Sequence, residues 1–354
     1  MRSFFTQEYR QPGETPADVR LRLLSLMAFL TLSALIMSAL GLGDRTYLLD
    51  QDNYVQYFRD TNIYWFTNLW DGSLTGTIFV IRMVTEELGW RAWVLALNTL
   101  GCSPEGGVRI TVLALNALMI YALSKTRWPL ISLVLWAVIP DALATVGLFQ
   151  IRQGFAFAIA MYFAFARKQP VRGAALASLV HTTFAYPAIF LIIARLCVKR
   201  SQLLNLLSVS AAATTMAVLS SLLFNIFGGR RLVEYDQQEN YTLNYLIALV
   251  IFTLIPYLIV RTRDERTEDP VSASVTRQIS TMYAGILVFL IVSFFVYPFG
   301  MARIGYYSTL MIPFLLPSIR VKNKLVLWLI TGIVLVIGYD VFKKYSSGLY
   351  SYFL

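Results

Sequence analysis

Residues 150–181 read QIRQGFAFAIAMYFAFARKQPVRGAALASLVH, and the rest of the chain can be interpreted outward from this stretch. It places Arg152 and Gln153 at the start of an otherwise apolar helix and returns His181, the single histidine of the protein, about thirty residues later. Ionisable groups at the edge of a hydrocarbon layer are costly to place there, so they are usually functional. The stretch therefore predicts apolar helices that carry a polar site.

The composition of the whole chain is that of a membrane protein. Of 354 residues, 57% are hydrophobic and 14% are charged, and the mean hydropathy is +0.61, which is far too apolar for an ordinary soluble domain. We therefore predict an all-α polytopic membrane protein with about 11 to 13 transmembrane or re-entrant helices. The uncharged runs that are long enough to cross about 30 Å of hydrocarbon are Leu23–Leu42, Ser201–Gly229, Thr242–Val260 and Ile279–Ala302.

Basic residues predict the orientation of the helices. Lys and Arg number 30 against 20 Asp and Glu, an excess that in a soluble protein would suggest nucleic-acid binding. Here the basic residues cluster at the ends of apolar runs, as in cytoplasmic loops, and no basic recognition motif accompanies them. The sequence therefore predicts no nucleic-acid partner. The clusters are Lys125/Arg127, Arg167/Lys168/Arg172, Lys199/Arg200, Arg261/Arg263/Arg266 and Arg320/Lys322/Lys324.

These patterns predict a single transmembrane domain over residues 21–342. A polar N-terminal tail, 1–20, is placed in the cytoplasm, and 343–354 form a C-terminal tail. The apolar run after the first tail is too long for a signal-peptide core, which indicates an uncleaved first span. The predicted loops are 43–73 and 228–242 on the periplasmic side and 261–277 on the cytoplasmic side.

The quoted stretch is predicted to fold back on itself. Its basic cluster lies on the cytoplasmic side, Pro170 ends the helix that starts at Arg152, and Val171–Val180 is only about 15 Å long if helical. The chain then continues apolar from Phe184. His181 is therefore the apex between two arms and is predicted on the periplasmic side, together with Arg152.

Five separate segments bring polar side chains to the periplasmic side in this topology. No glycine-rich phosphate loop, GxSxG elbow or HExxH motif occurs in a usable context, so the chemistry has to come from these residues. They are Asp50, Asp52, Asp141, Arg152, Gln153, His181, Arg230, Arg231 and Arg303.

Two arginines of this set are natural partners for a phosphate group. Guanidinium binds phosphate in a bidentate way and stays charged in a low-dielectric site, so we expect Arg152 and Arg303 to bind a lipid pyrophosphate. Tyr306 and Tyr307 follow Arg303 at i+3 and i+4, on the same helical face. They could donate hydrogen bonds to the same headgroup or stack on a sugar.

Two residues are candidates for a general base. Histidine has an ordinary pKa near physiological pH, and a base for a sugar hydroxyl needs a titratable acceptor within hydrogen-bond reach. His181 is the first candidate, and the alternative is a buried histidine that ties two short helices together. Asp141, which follows Pro140, is the competing base, the partner that orients Arg152, or a capping residue beside a proline kink, and the sequence leaves these possibilities open.

Four short motifs, in this order, resemble the EpsG-like branch of the Wzy-type O-antigen and exopolysaccharide polymerases. Their order and spacing match over roughly Asp50 to Pro317. The motifs are DQDNYVQY with Asp50, Asp52, Tyr54 and Tyr57, IRQGFAFAIA with Arg152 and Gln153, LASLVHTT with His181, and ARIGYY with Arg303, Tyr306 and Tyr307.

The resemblance implies a bacterial inner-membrane glycosyltransferase with a GT-C-like helical fold, active at the periplasmic face without a metal or another cofactor. Its substrate would be oligosaccharide linked to undecaprenyl pyrophosphate, with a chain-length regulator protein as a further partner. A hydroxyl of the incoming unit would attack the anomeric carbon of the growing chain, and undecaprenyl pyrophosphate would leave.

In this scheme Arg152 and Arg303 would neutralise the leaving group, and His181 or Asp141 would accept the proton. The residues expected to bind substrate are Asp50, Asp52, Tyr54, Gln153, Arg230, Arg231, Tyr306 and Tyr307.

Two other functions use similar residues. A flippase or transporter for the same lipid-linked sugars would also place arginines towards a lumen, but the sequence has no internal repeat of the kind common in transporters. A membrane acyltransferase that modifies the polysaccharide could use His181, but such enzymes take acyl-CoA from the cytoplasm, and the charge pattern places His181 on the other side.

Overall fold

In a computed structural model of the chain, residues 16–42, 50–69, 76–139, 141–197, 202–227, 242–261, 270–296, 301–317 and 324–346 are described. Within these ranges the regular structure is helical and contains no strand. The prediction of an all-α fold is thereby confirmed.

Helices α1 to α8 run from the first described residue to the middle of the chain. A π-helical segment, Asp141–Phe149, lies between the last two. The α-helices are α1 Pro16–Leu42, α2 Gln51–Asp60, α3 Ile63–Leu69, α4 Gly76–Thr85, α5 Leu88–Thr99, α6 Pro104–Leu123, α7 Pro129–Val138 and α8 Ile151–Met161.

The second part of the chain starts with a π-helical turn, Tyr162–Ala166, that extends α8. A 3-10 turn, Thr182–Phe184, separates α9 from α10. The remaining helices are α9 Pro170–Val180, α10 Ala185–Leu196, α11 Gln202–Phe227, α12 Leu243–Arg261, α13 Pro270–Val296, α14 Met301–Leu310, α15 Ile312–Leu315 and α16 Lys324–Ser346.

Five of the described helices are long and apolar enough to cross a membrane, so the chain is a multi-pass membrane protein. A sixth crossing, or a re-entrant loop, comes from Pro129–Val138 and Ala142–Phe149, which meet at a 73° bend. The five segments are Arg20–Leu42, Pro104–Leu123, Leu203–Ser220, Leu243–Arg261 and Ala273–Val296.

Four of the five long helices follow the predicted apolar runs, while Pro104–Leu123 matches none of them. Among the four, the largest difference is at α13. Helix α13 starts at Pro270, whereas the apolar run starts at Ile279. Proline is well suited to the first helical position because its missing N–H would have no partner there, and the polar residues that follow can extend a helix beyond the hydrocarbon. Residues 270–277 of the predicted loop 261–277 are therefore helical, and its residues 262–269 lie outside the described ranges.

The quoted stretch forms the predicted hairpin of two arms. Helix α8 and its π-helical turn end in a tight turn at Lys168, which has a φ of 56°. Pro170 starts α9, and His181 caps its end in an extended conformation. Helix α10 then leads away from the 3-10 turn. Since α8 packs along α9 and α9 along α10, both ends of the stretch lie within one helical cluster.

Apolar side chains fill the interior and also cover much of the outside. Trp90, Trp136 and Phe190 are completely buried. Leu24 and Leu30 of α1, by contrast, are exposed by more than half. Such exposure on a soluble protein would mark a binding patch, whereas on a multi-pass membrane protein it faces the hydrocarbon.

Candidate functional site

The break between α4 and α5 forms the starting point of the site. Glu86 and Glu87 separate the two short helices, and Glu87 caps α5 with φ 54° and ψ 52°. Non-glycine residues adopt this left-handed conformation rarely, and such residues concentrate at functional sites. Glu86 is exposed, while the side chain of Glu87 is only 4% exposed. At this break the Glu87 side chain therefore points towards the interior of the protein, whereas Glu86 stays at the surface.

Arg152 forms a buried ion pair with this carboxylate. Its Nη1 donates to Glu87 Oε2 at 2.6 Å and to the Tyr57 hydroxyl at 2.7 Å. The Arg152 side chain is 16% exposed. Since a buried charge without a partner is very costly, the pair fixes the start of α8 against the α4–α5 break.

The second oxygen of Glu87 contacts the turn between α9 and α10. The Thr182 N–H donates to Glu87 Oε1 at 3.4 Å, and His181 Nδ1 lies 3.8 Å from the same oxygen. The Thr182 hydroxyl donates to the Val84 carbonyl at 3.0 Å. A single carboxylate thus lies between Arg152 of α8 and the histidine turn.

His181 is also linked to the far end of the chain. Its Nδ1 lies 3.4 Å from the Thr183 nitrogen and 3.1 Å from the Thr183 hydroxyl. That hydroxyl forms a short hydrogen bond with the Tyr307 hydroxyl of α14. The Tyr307 ring packs on Phe184 with centroids 4.4 Å apart. Helix α14 therefore contributes directly to the surroundings of the histidine.

An aromatic wall from α2 packs beside the ion pair. Trp90 of α5 meets the rings of Tyr54, Tyr57 and Phe58 edge to face, with centroids 6.0 to 6.5 Å apart. Burial raises the pKa of the Tyr54 hydroxyl well above its usual value, so Tyr54 stays a neutral phenol. These aromatic side chains form an apolar surface beside the Arg152–Glu87 ion pair.

A second arginine lies on the outer side of this wall. The Arg91 guanidinium stacks over the ring of Tyr57 at 4.5 Å and over that of Trp65 at 4.9 Å. Its Nη1 donates to the Thr61 hydroxyl at 2.7 Å. Arg152 also lies 5.1 Å from the Tyr57 ring. Tyr57 is therefore in contact with two cations, and its ring and hydroxyl both help to position them.

Gly154 explains how α8 comes so close to the preceding segment. A Cβ at this position would lie 2.0 Å from the Val146 carbonyl oxygen of the π-helical segment, a distance that no side chain tolerates. Gln51 Nε2 donates to the Leu148 carbonyl of that segment at 3.2 Å. Within the described ranges, the buried Nε2 of Gln153 makes no hydrogen bond.

The structure brings together part of the predicted site. Arg152 and His181 meet at Glu87, Tyr54 lies beside Arg152 in the aromatic wall, and Tyr307 reaches the histidine turn. Gln153 is buried next to Arg152.

Other predicted residues lie at the edge of the described site or outside the description. Asp50 and Asp52 are exposed at the start of α2, and the Asp50 carboxylate acts on the pKa of Tyr54. The residues that lie outside the described ranges, or whose side chains do, are Arg230, Arg231, Asp141, Arg303 and Tyr306.

Sequence reasoning missed Glu87 as a site residue. Glu86 and Glu87 lie between two apolar runs, and a carboxylate in such a place is itself a functional signal. Thr183 and Arg91 were missed as well, because polar residues of these types have no distinctive local pattern. Among the described residues, no three His, Cys, Asp or Glu side chains are grouped so that they could hold a metal ion.

The fold and the site define a multi-pass helical membrane protein with an ion pair buried among broken helices. The chain matches the model of the EpsG family over residues 27–354 and belongs to that family, whose members are Wzy-like polymerases. It is therefore a membrane protein of the polysaccharide-polymerase type. Neither the curated proteins nor the solved structures contain a match.

Proposed function

We propose that the protein polymerises lipid-linked oligosaccharide repeat units at the periplasmic face of a bacterial inner membrane. The donor is the growing glycan on undecaprenyl pyrophosphate, and the acceptor is the terminal sugar of the next lipid-linked unit. The observation that carries this proposal is the buried cluster of Arg152, Glu87 and His181 in a chain of the EpsG family.

In the proposed reaction the bond between the anomeric carbon and the pyrophosphate oxygen breaks. The electron pair leaves with undecaprenyl pyrophosphate, and a sugar hydroxyl of the acceptor forms the new bond to the carbon. The hydroxyl proton passes to a base. The protein therefore has to stabilise negative charge on the leaving group and provide an acceptor for one proton.

Arg152 supports the first requirement. The side chain is partly exposed, and among the described residues its buried Nε has no hydrogen-bond partner. Guanidinium keeps its charge in a low-dielectric site and binds phosphate oxygens directionally. A phosphate oxygen at Nε would satisfy this donor. We assign Arg303, at the start of α14 and one turn before Tyr307, as the second cation.

His181 supports the second requirement, with Asp141 as the alternative base. A carboxylate 3.8 Å from its Nδ1 stabilises the imidazolium that forms when the ring accepts a proton. The carboxylate of Glu87 already accepts hydrogen bonds from Arg152 and Thr182, so we assign Glu87 to positioning these groups and not to accepting the proton.

Tyr57 and Trp65, stacked with Arg91, form the part of the site best suited to a sugar ring. The remaining predicted ligands complete the assignment of substrate binding: Asp50, Asp52, Tyr54, Gln153, Arg230, Arg231, Tyr306 and Tyr307.

The test is chain elongation by the purified protein in proteoliposomes that contain lipid-linked repeat units. The units are extracted from a strain of the native host in which the gene is deleted. We expect the wild type to produce a ladder of chain lengths on a gel. Arg152→Ala should lower the elongation rate by about 10³-fold, because the leaving group loses its main cation.

Arg195→Ala is the matched control, since Arg195 is an exposed arginine of α10 and should keep the wild-type rate. Both variants are compared at equal amounts of folded, monodisperse protein. A wild type that makes nothing longer than one unit contradicts the proposed function. A folded Arg152→Ala variant with the wild-type rate contradicts the role of Arg152.

The deletion strain separates the three candidate functions. Loss of a polymerase leaves single repeat units on the cell surface, whereas loss of a flippase leaves none. Loss of an acyltransferase leaves chains of full length without the acyl group. We expect single repeat units, and complementation with the wild-type gene should restore the ladder.

A further inference from the structure

Glu87 is the acid of the site that no sequence motif predicted. It is a buried acid in a left-handed backbone conformation, and its two oxygens contact two different elements. A carboxylate that only neutralised Arg152 could do so from an unstrained position on a helix. The second oxygen of Glu87 contacts the histidine turn, at 3.4 Å from the Thr182 nitrogen and 3.8 Å from His181 Nδ1.

The neutral imidazole of His181 has two tautomers, and its neighbours favour different ones. The Thr183 N–H, 3.4 Å from Nδ1, favours a lone pair on Nδ1 and therefore the proton on Nε2. The Glu87 Oε1 charge, 3.8 Å from Nδ1, favours a proton on Nδ1. The Thr183 hydroxyl, at 3.1 Å, can satisfy either form because it can donate or accept.

Only one of these tautomers suits a base that uses Nε2. With the proton on Nδ1, the Nε2 lone pair can take up a proton, and the resulting imidazolium is stabilised by the nearby carboxylate. With the proton on Nε2, that nitrogen is a donor. In serine proteases a carboxylate that is hydrogen-bonded to Nδ1–H performs this selection, whereas here the carboxylate acts through its charge at 3.8 Å.

We propose that Glu87 is a positioning residue that selects the tautomer of His181 with the proton on Nδ1, while its other oxygen holds Arg152 in place. This inference rests on the proposed function for its catalytic meaning. The physical part, the state of the imidazole ring, can be measured without any reaction.

Among the described residues, four elements bring charged or titratable groups towards His181. Glu87 lies at the α4–α5 break, Arg152 of α8 lies beyond its carboxylate, and Tyr57 of α2 lies beyond Arg152. Tyr307 of α14 faces the ring through Thr183. Glu87 is the acid among them, so its removal should lower the pKa of His181.

The single histidine of the protein allows a direct test. Protein labelled with ¹⁵N-histidine and purified with a histidine-free tag gives imidazole signals from His181 alone. A titration of both ring nitrogens in nanodiscs reports the tautomer and the pKa. We expect the wild type to have its neutral proton on Nδ1.

In Glu87→Gln we expect a shift towards the proton on Nε2 and a His181 pKa lower by about one unit or more, because an opposite charge within about 4 to 6 Å is lost. Glu86→Gln makes the same chemical change at the exposed neighbour and should leave the titration unchanged. A wild-type ring with its proton on Nε2, or identical titrations of both variants and the wild type, overturns the inference.

Glu87→Gln leaves Arg152 without its anion and can fail to fold, so Glu87→Asp is the second variant. Aspartate keeps the charge but is too short to contact Arg152 and the histidine turn together. We expect a His181 pKa below that of the wild type, with Glu86→Asp as the control. If Glu87→Gln yields no folded protein, an unchanged titration of His181 in folded Glu87→Asp also overturns the inference.

Elongation assays connect the tautomer to the reaction. Glu87→Gln should lower kcat by about 10²-fold or more with a smaller change in KM, as expected for a base in the wrong tautomer. In a His181→Ala background the same substitution should cause no further loss. An equal loss in both backgrounds shows that Glu87 does not act through His181. A wild type that fails to elongate contradicts only the proposed function, since the titration still tests Glu87.

Discussion

The molecule contains two sets of helices that pack in different ways. One set is the short helices α4, α5, α8, α9 and α10, and the other is the long helices α11 and α13. Helices α11 and α13 lie along each other through small and apolar side chains, with Ala213 and Ala217 completely buried. The helices around Glu87 are short and broken, and a buried ion pair lies where they meet. Side-chain volume determines how closely the long helices approach. The buried ion pair and the backbone conformation at Glu87 position the short helices.

This difference predicts how substitutions divide between the two regions. In close-packed helices a changed side chain alters stability, because packing is their main interaction. In the broken helices a displacement of about 1 Å moves a charged group out of position, and such a displacement can cost about 10²-fold in rate. Substitutions with similar steric effects should therefore lower activity in the broken helices around Glu87. In the close-packed helices α11 and α13 they should mainly lower stability.

Among the substitutions that compare the two regions, Gly154→Ala should have the largest effect on activity. The new Cβ would lie 2.0 Å from the Val146 carbonyl oxygen, so the start of α8 must move and Arg152 moves with it. We expect an elongation rate about 10²-fold below the wild type, together with a lower melting temperature. Gly332→Ala of α16 is the control, because a Cβ there meets no atom within 4 Å. A Gly154→Ala protein with the wild-type rate contradicts the importance of this close approach.

Tyr57→Phe should have an intermediate effect. The change removes the hydroxyl that accepts from Arg152 at 2.7 Å and keeps the ring that stacks with Arg91. A hydrogen bond to a charged group contributes about 1.5–3 kcal/mol, so a loss of about tenfold in elongation rate is expected. Tyr64→Phe provides the comparison, since Tyr64 is 72% exposed. Equal rates for the two variants would show that the Tyr57 hydroxyl does not position Arg152.

Gly285→Ala should have the smallest effect on activity. Its Cβ would lie 2.6 Å from Val209 Cγ1 and 3.0 Å from the Phe190 ring, so α11 and α13 must separate slightly. We expect a lower melting temperature but an elongation rate within about twofold of the wild type, because overpacking costs about 1–3 kcal/mol of stability. Adding Val209→Ala should restore part of the stability. A rate loss as large as that of Gly154→Ala would remove the distinction between the two regions.

The long helices were predictable from sequence because their signal is local. An uncharged run of about twenty residues has few other stable structures in a membrane. The run from Thr242 to Val260 corresponds almost residue for residue to Leu243–Arg261. Helix α13 shows the limit of this signal, since hydropathy does not report the polar turns that extend a helix at Pro270.

The site was only partly predictable, because its central contact joins residues 65 positions apart. Arg152 and His181 stand out as polar groups in apolar helices. Glu86 and Glu87 are chemically identical, and only the left-handed backbone at position 87 determines which one is buried. That conformation is stabilised by tertiary contacts, so no propensity of the local sequence reports it.

The left-handed conformation of Glu87 also has an evolutionary consequence. Glycine or asparagine would fit this backbone better and would relieve about 1–2 kcal/mol of strain. Either exchange, however, leaves the Arg152 charge unpaired, which typically costs about 3–5 kcal/mol. Selection for stability alone therefore retains the acid as long as Arg152 is present. Across the family, positions 87 and 152 should covary, and a lineage that loses the arginine should acquire glycine or asparagine at the α4–α5 break.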